Sequence, residues 1–263
     1  MADIRAMVDD LRAESDDLDA RVAQLTDAQW RTETPAAGWT VADQIGHLAW
    51  TDEIACLAVT DPAAFEASVQ AMVGELDGYV DRAAAQRADQ PAADLLRSWR
   101  AGRAELSDAL LAVASDARLP WFGPPMRPAS MATARLMETW AHGQDVVDAL
   151  DQLRVPGPRL RHVAHIGVRT RDFAYLLRDR TPPAEQFRVE LSAPSGELWA
   201  WGPEDAAQQV AGPAFDFCLL VTQRRHRDDL AVVAVGPDAD EWLDIAQAFA
   251  GPPGAGRAAG RHG

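Results

Sequence analysis

Two residues that could bind a metal lie four positions apart in the segment LMETWAHGQDVV, residues 136–147. Four positions on an α-helix advance about 400°, which places Glu138 and His142 on one face, one turn apart. Asp145 falls on the same side, with apolar residues opposite. Taken alone, this spacing is more typical of a pair on a solvent-exposed helix face, because such pairs are common there.

A third polar residue, His47, lies in the segment DQIGHLAW and shares a helix face with Trp50, Ile54 and Ala58. That face indicates a histidine turned toward a core, where a hydrogen-bonded structural role is more common than metal binding. If a second helix brings the glutamate–histidine pair close, however, the three side chains form a two-histidine, one-carboxylate set. Such a set binds Zn²⁺ or a similar divalent ion and leaves positions open for a substrate.

Four long segments with helical periodicity would position these residues: 4–26, 40–59, 92–114 and 130–151. Thr40 opens the second of them with a capping-box-like sequence. No strand-like alternation precedes residue 156, so we predict an antiparallel four-helix bundle. The segment VPGPR, residues 155–159, interrupts the helical pattern and marks the end of the bundle.

The rest of the chain predicts a small α+β domain. A helix is expected over residues 162–178, and the alternating runs QFRVELSAP and ELWAWGP flank Ser195-Gly196, which indicates a β-hairpin. The segment AGPAFDFCLLVTQRR fits a helix or a strand, DLAVVAV a strand, and ADEWLDIAQAFA a closing helix. We therefore predict a bundle domain, an α+β domain and a flexible Gly/Pro/Arg-rich tail, over residues 1–157, 158–250 and 251–263.

Charge and composition exclude several classes of function. The chain has 263 residues and a net charge of −15, which argues against nucleic-acid or anionic-membrane partners because both favour a basic surface. All 25 basic residues are arginine, so no lysine can form a Schiff base. Cys56 and Cys218 are the only cysteines, too few for a disulfide framework. An acidic N-terminal segment and the lack of a long uncharged apolar run predict a cytoplasmic protein.

The segments GWTVADQIGHLAW and METWAHGQDVVDAL resemble the metal-binding pattern of the DinB-like superfamily, in particular its mycothiol-dependent maleylpyruvate isomerase-like branch. In that branch, a histidine on the second helix and an E-x-x-x-H motif on the last helix hold a divalent metal, usually zinc. The resemblance implies that His47, Glu138 and His142 bind such an ion here. Nickel, iron and manganese also suit this donor set.

The resemblance extends to the second domain, because members of the branch carry a sterol-carrier-like α+β fold there. In the family, a Gly-Arg pair after the apolar segment supplies an arginine implicated in activity. The segment QRR, residues 223–225, matches this pair best with Arg224 as the catalytic residue. Gln223 stands where the family usually has glycine, which leaves Arg225 as the other choice.

Three functions follow as hypotheses. The first, implied by the resemblance, is an enzyme whose metal activates mycothiol for S-transfer to, or isomerisation of, a small electrophilic substrate. Arg224 would then pair with a carboxylate or an enolate. The second is a thiol-independent hydrolase or Lewis-acid enzyme with the same metal. The third is a protein that binds an apolar ligand and keeps a structural metal, although three ligands instead of four count against a structural zinc.

The remaining candidates carry weaker patterns. Cys56 lies nine residues after His47, on the far side of the helix, which predicts a packing role. His162 and His165 are expected at the surface or in the core of the second domain. Asp145 would either accept a hydrogen bond from the His142 ring or face water.

Overall fold

The computed structural model describes residues 3–73, 78–254 and 256–260. They divide into two compact units between Leu153 and Arg154, close to the predicted boundary at residue 157. That each unit folds as an independent domain stays a prediction. So does the flexible tail over residues 251–263, part of which lies outside the described residues.

The described part of the first unit is helical. Its helices are α1 (Ile4–Val22), α2 (Asp27–Trp30), α3 (Val41–Thr60), α4 (Pro62–Val73), α5 (Tyr79–Ala88), α6 (Ala92–Ala112) and α7 (Pro128–Ala149). Helix α3 packs against α5, α6 and α7, and α1 packs against α6 and α7. The four long helices α1, α3, α6 and α7 are those that the periodicity predicts, and the predicted helical bundle is confirmed.

The start of α3 fixes where His47 lies. The Thr40 hydroxyl accepts a hydrogen bond from the Asp43 N–H, and the Asp43 carboxylate accepts one from the Thr40 N–H at 2.8 Å. This reciprocal cap satisfies N–H groups that a helix start leaves open, as the sequence predicts. At Gly46, any Cβ would lie 2.6 Å from the Ala84 carbonyl oxygen, so glycine at this position lets α5 pack closely beside His47.

Helix α7 is buried around most of its circumference. Arg135, Gln144 and Asp145 are as inaccessible as the apolar Leu136 and Trp140. The alternative in which the polar face of this helix lies in water is therefore wrong. Polar groups placed in such a position need partners, because an unsatisfied buried polar group costs free energy.

The second unit combines helices with a mixed four-stranded sheet. Its elements are α8 (Leu160–Arg169), α9 (Arg171–Leu176), β1 (Arg188–Ser192), β2 (Leu198–Trp201), β3 (Gln209–Pro213), α10 (Ala214–Val221), β4 (Val233–Val235) and α11 (Pro237–Ile245). The sheet order is β2-β1-β3-β4, with β1 antiparallel to β2 and parallel to β3, and with β3 antiparallel to β4. The predicted hairpin and the α+β class are confirmed.

One segment differs from the sequence prediction, and a second segment, for which the sequence left helix and strand open, contains both. The helix expected over residues 162–178 is two helices, with a break at Thr170. The Thr170 hydroxyl shares its proton between the carbonyl oxygens of Ile166 and Gly167. Such a side-chain-to-backbone hydrogen bond competes with regular helix geometry. The ambiguous segment after residue 211 forms the short strand β3 and then helix α10. None of the described helices is long and apolar enough to span a membrane.

Candidate metal centre

Three side chains from two helices meet at one point in the first unit. His47 on α3 and both Glu138 and His142 on α7 offer ligand atoms that lie within 4.8 Å of one another. Glu138 Oε2 lies 3.4 Å from His47 Nε2 and 3.3 Å from His142 Nε2. The two imidazole centroids are 4.4 Å apart. The structure therefore brings the three sequence-predicted side chains together.

The distances from Glu138 Oε2 to the two imidazole nitrogens are longer than ordinary hydrogen bonds but short enough for all three atoms to bind one metal ion. An ordinary N–H···O bond spans about 2.7–3.2 Å between its heavy atoms. Two donors bound at about 2.0–2.1 Å to one tetrahedral ion lie about 3.3–3.4 Å apart. Both distances from Glu138 Oε2 match this second separation, so the residues fit a divalent ion in spacing as well as in donor type.

The local electrostatics favour an ionised carboxylate. Burial alone would raise the pKa of Glu138, but the polar and charge interactions of its carboxylate with His142 and His47 outweigh burial and hold that pKa well below its usual range. A carboxylate that is already deprotonated can bind a cation without first releasing a proton. The side chains of Glu138, His142 and His47 are 19%, 12% and 10% exposed, so none of the three is fully buried.

A buried amide contacts the other ring nitrogen of His142. Gln44, which is fully buried, places its Oε1 atom 2.5 Å from His142 Nδ1. The Gln44 amide nitrogen donates to the Thr34 hydroxyl at 2.8 Å, and that hydroxyl donates to the Trp39 carbonyl at 2.8 Å. Sequence reasoning missed Gln44, although it lies three residues before His47 and hence on the same side of α3. Asp145, which the sequence offers as another acceptor for the His142 ring, is also buried on α7.

Aromatic rings surround the two imidazoles. The Trp39 ring stacks on His142 with centroids 5.9 Å apart and lies 5.4 Å from His47. The Trp50 ring centroid lies 5.9 Å from that of His47, and Trp50 is itself in contact with Tyr79. The Trp39 indole N–H donates to Asp81 at 3.0 Å, which ties the ring to α5. These rings place apolar surface against the two imidazoles.

A buried ion pair lies next to the centre on the same two helices. Arg135, one turn before Glu138, donates to Asp52 at 2.9 Å and to the Thr51 hydroxyl at 2.6 Å. The Thr51 hydroxyl in turn donates to the His47 carbonyl. Burial raises the pKa of Asp52, an effect that the Arg135 guanidinium opposes. The pair therefore links α3 to α7 about one turn away from His47 and Glu138.

The group of possible metal ligands includes none of the weaker candidates. Cys56 is half-buried, and burial raises the pKa of its thiol, which suits packing better than nucleophilic chemistry. His162 and His165 belong to α8 in the second unit. His165 accepts a hydrogen bond from the Trp201 indole N–H at 3.2 Å, and burial lowers its pKa.

Arg224 lies in the turn that ends α10. The Gln223 N–H donates to the Leu220 carbonyl and the Arg224 N–H to the Leu219 carbonyl, the bonding pattern of a Schellman motif. Gln223 has φ 58°, a left-handed conformation that glycine adopts without steric cost. The turn thus keeps its shape although glutamine stands in the glycine position. Arg224 and Arg225 are both half-buried, and each donates to a nearby backbone carbonyl.

Comparisons with known proteins agree with the fold. A family model described as mycothiol maleylpyruvate isomerase N-terminal domain matches residues 11–147, and a model described as wyosine base formation matches residues 183–235. Two uncharacterized proteins of Mycobacterium tuberculosis, Rv0036c of strain ATCC 25618 / H37Rv and MT0041 of strain CDC 1551 / Oshkosh, are each 59% identical over 257 residues. Each alignment covers 98% of this chain and 100% of the relative.

Solved structures extend the similarity to both units. Crystal structures of the mycothiol-dependent maleylpyruvate isomerase and of a histidine-to-alanine mutant of it superpose with a TM-score of 0.59 at 15% sequence identity. Each comparison covers 90% of this chain and 95% of the other. At this identity the similarity shows a shared fold.

Proposed function

This chain belongs to the family of the mycothiol maleylpyruvate isomerase N-terminal domain, and from that premise we propose that it is a divalent-metal-dependent enzyme that uses a low-molecular-weight thiol. Zinc is the metal that two imidazoles and one carboxylate with open positions suit best, and mycothiol is the thiol that the relatives' names indicate. The reaction is S-transfer to, or isomerisation of, a small electrophilic substrate in the cytoplasm.

One observation carries this proposal. The Glu138 carboxylate faces both imidazoles. The distances between these atoms match those between two ligand atoms of one tetrahedral metal ion, and they are longer than ordinary hydrogen-bond distances. His47, Glu138 and His142 would hold the ion. Three protein ligands leave a coordination position free, as catalytic zinc sites do and structural zinc sites do not.

The chemistry of such a centre follows from its donors. A divalent ion bound there would lower the pKa of a coordinated thiol, so that the thiolate nucleophile forms near neutral pH. Cys56 offers no competing thiolate, because it is outside the ligand group and burial raises the pKa of its thiol. Trp39 and Trp50 place apolar rings beside His47, which lowers the local polarity and so strengthens electrostatic interactions of the Glu138 carboxylate.

The thiol distinguishes this function from its alternatives. Purified protein is expected to contain about one divalent ion per chain by elemental analysis, and mycothiol is expected to bind the metal-loaded protein with measurable heat in calorimetry. Glutathione serves as the matched thiol that lacks the mycothiol sugar groups. A metal-loaded protein that binds neither thiol would favour the thiol-independent hydrolase or Lewis-acid enzyme. Metal-free protein that takes up no zinc would contradict the proposal as a whole.

Arg224 is proposed to pair with a carboxylate or developing enolate of the substrate, because guanidinium forms charge-assisted forked hydrogen bonds with such groups. Arg224→Ala is expected to reduce turnover by about 100-fold or more while metal content stays unchanged. Arg225→Ala is the matched control, since both side chains are half-buried in the same turn. A larger loss in Arg225→Ala than in Arg224→Ala would assign the role to Arg225.

A further inference from the structure

We propose that Gln44 and Thr34 are positioning residues that keep a proton on His142 Nδ1 and so leave Nε2 as the ring nitrogen that binds the metal. The inference rests on the proposed function of the metal centre and assigns to it two residues beyond the three ligands. It follows from the direction in which one chain of hydrogen bonds runs through the first unit.

The chain of hydrogen bonds starts at His142 and ends on the backbone. His142 Nδ1 contacts Gln44 Oε1 at 2.5 Å, Gln44 Nε2 contacts Thr34 Oγ1 at 2.8 Å, and Thr34 Oγ1 contacts the Trp39 carbonyl oxygen at 2.8 Å. Gln44 is 0% exposed and Thr34 is 9% exposed, so water competes little with these contacts. The Thr34 N–H also donates to the Trp39 carbonyl, which closes the turn that holds the hydroxyl in place.

The last acceptor fixes the direction of every earlier bond. A carbonyl oxygen can only accept hydrogen bonds, so the Thr34 hydroxyl donates its one proton to the Trp39 carbonyl. It must therefore accept a hydrogen bond from the Gln44 amide. The Gln44 amide nitrogen therefore points at Thr34, its oxygen points at His142, and the imidazole must donate from Nδ1. All three contacts are hydrogen bonds in this arrangement.

The opposite orientation of the Gln44 amide makes fewer bonds. With the amide reversed, the Thr34 hydroxyl would donate to Gln44, and the Trp39 carbonyl would lose its bond from the hydroxyl. Two hydrogen bonds would then remain instead of three, which disfavours the reversed form by roughly 2- to 10-fold. It would also place a proton on His142 Nε2, the atom that faces Glu138 Oε2 at 3.3 Å. That proton would occupy the position of the metal.

His47 differs from His142 in this respect. Its Nδ1 atom is buried and has no hydrogen-bond partner among the described residues, while its Nε2 atom faces Glu138. Only His142 thus has its ring orientation and proton position set by a protein acceptor. An acceptor behind a metal-binding imidazole raises the basicity of the ligand and fixes its tautomer, and its loss typically weakens metal binding by about 10- to 100-fold.

The proton position is measurable without any metal or substrate. In metal-free wild-type protein labelled with ¹⁵N at histidine, long-range nitrogen–proton correlation spectra are expected to show His142 Nδ1 protonated. This result is expected whether or not Nε2 also carries a proton. A His142 ring protonated at Nε2 alone would overturn the inference.

Zinc affinity provides the second measurement. In competition with a chromophoric chelator, Gln44→Leu is expected to bind zinc about 10- to 100-fold more weakly than wild type. Gln44→Glu keeps an acceptor and is expected to stay within about 3-fold of wild type. Gln144→Leu is the matched control, because Gln144 is also a buried amide but bonds to Asp148 instead of an imidazole. Equal zinc affinity of wild type and folded Gln44→Leu would overturn the inference.

The two measurements separate this inference from the proposed function. If wild-type protein binds no zinc, the metal centre is wrong, while the proton on His142 Nδ1 is still tested by the spectra of metal-free protein. If wild type binds zinc and Gln44→Leu binds it equally well, the result supports the metal centre and contradicts the positioning role of Gln44. Should Gln44→Leu not fold, Thr34→Val, which removes only the hydroxyl, is expected to weaken zinc binding by roughly 2- to 10-fold.

Discussion

His142→Ala protein is expected to lose stoichiometric metal, with zinc affinity reduced by more than about 100-fold, because a ligand contributes more than the outer hydrogen-bond partners that typically account for 10- to 100-fold. Two donors would remain, and zinc sites in proteins use three or four. The measurement is metal content by elemental analysis, followed by a chelator competition on protein reloaded with zinc. We expect turnover to fall together with metal content.

Two further variants make this test specific. His226→Ala is the matched control, since His226 caps a short helical turn in the second unit and is more exposed than His142. Glu138→Gln keeps the size of the side chain but removes the negative charge that faces both imidazoles, and it too should lose most of the metal. Full metal retention by either His142→Ala or Glu138→Gln would contradict the assignment of ligands.

Local sequence signals predict those parts of the fold that local chemistry decides. Thr40 and Asp43 supply a reciprocal cap at the start of α3, and Gly196 with φ 86° supplies the turn between β1 and β2. The four long helices follow from apolar spacing for the same reason. Residues 214–221 could not be assigned in this way, because an apolar run buried on all sides has the same pattern as a helix and as a strand.

The candidate centre shows a similar limit. His47, Glu138 and His142 could be grouped from the sequence because their side-chain types have few other shared uses and because the family pattern joins two distant segments. Gln44 and Trp39 could not be assigned to the centre from the sequence, because amide and indole side chains are buried for many different reasons. The Gln44 contact with His142 depends on how α3 packs against α7, and the Trp39 contact depends on how the loop before α3 folds against α7; periodicity encodes neither.

The Arg135–Asp52 pair illustrates a third kind of residue, one that the sequence hides completely. Both side chains lie in segments predicted as helices, and although both are charged they are only 1% and 4% exposed. We expect Arg135→Met to lower the free energy of unfolding by about 3–5 kcal/mol, because it leaves the Asp52 carboxylate buried without its cation. Chemical denaturation at constant pH measures this difference. Arg180→Met is the matched control, since its partner Glu241 and Arg180 are both exposed, and should cost less than about 1 kcal/mol.

The pH dependence and a double variant identify the cause of that loss. Burial already raises the pKa of Asp52, and removing Arg135 takes away the cation that opposes this rise. A carboxyl with a raised pKa in the folded state binds more protons when folded than when unfolded, so stability falls as pH rises through that range. The deficit of Arg135→Met should therefore be larger at about pH 8 than at about pH 5.

Adding Asp52→Leu removes the uncompensated charge and should recover most of the lost stability, because apolar pairs of similar volume replace buried ion pairs at little cost. A deficit that is independent of pH and remains in the double variant would instead identify lost packing between α3 and α7 as the cause.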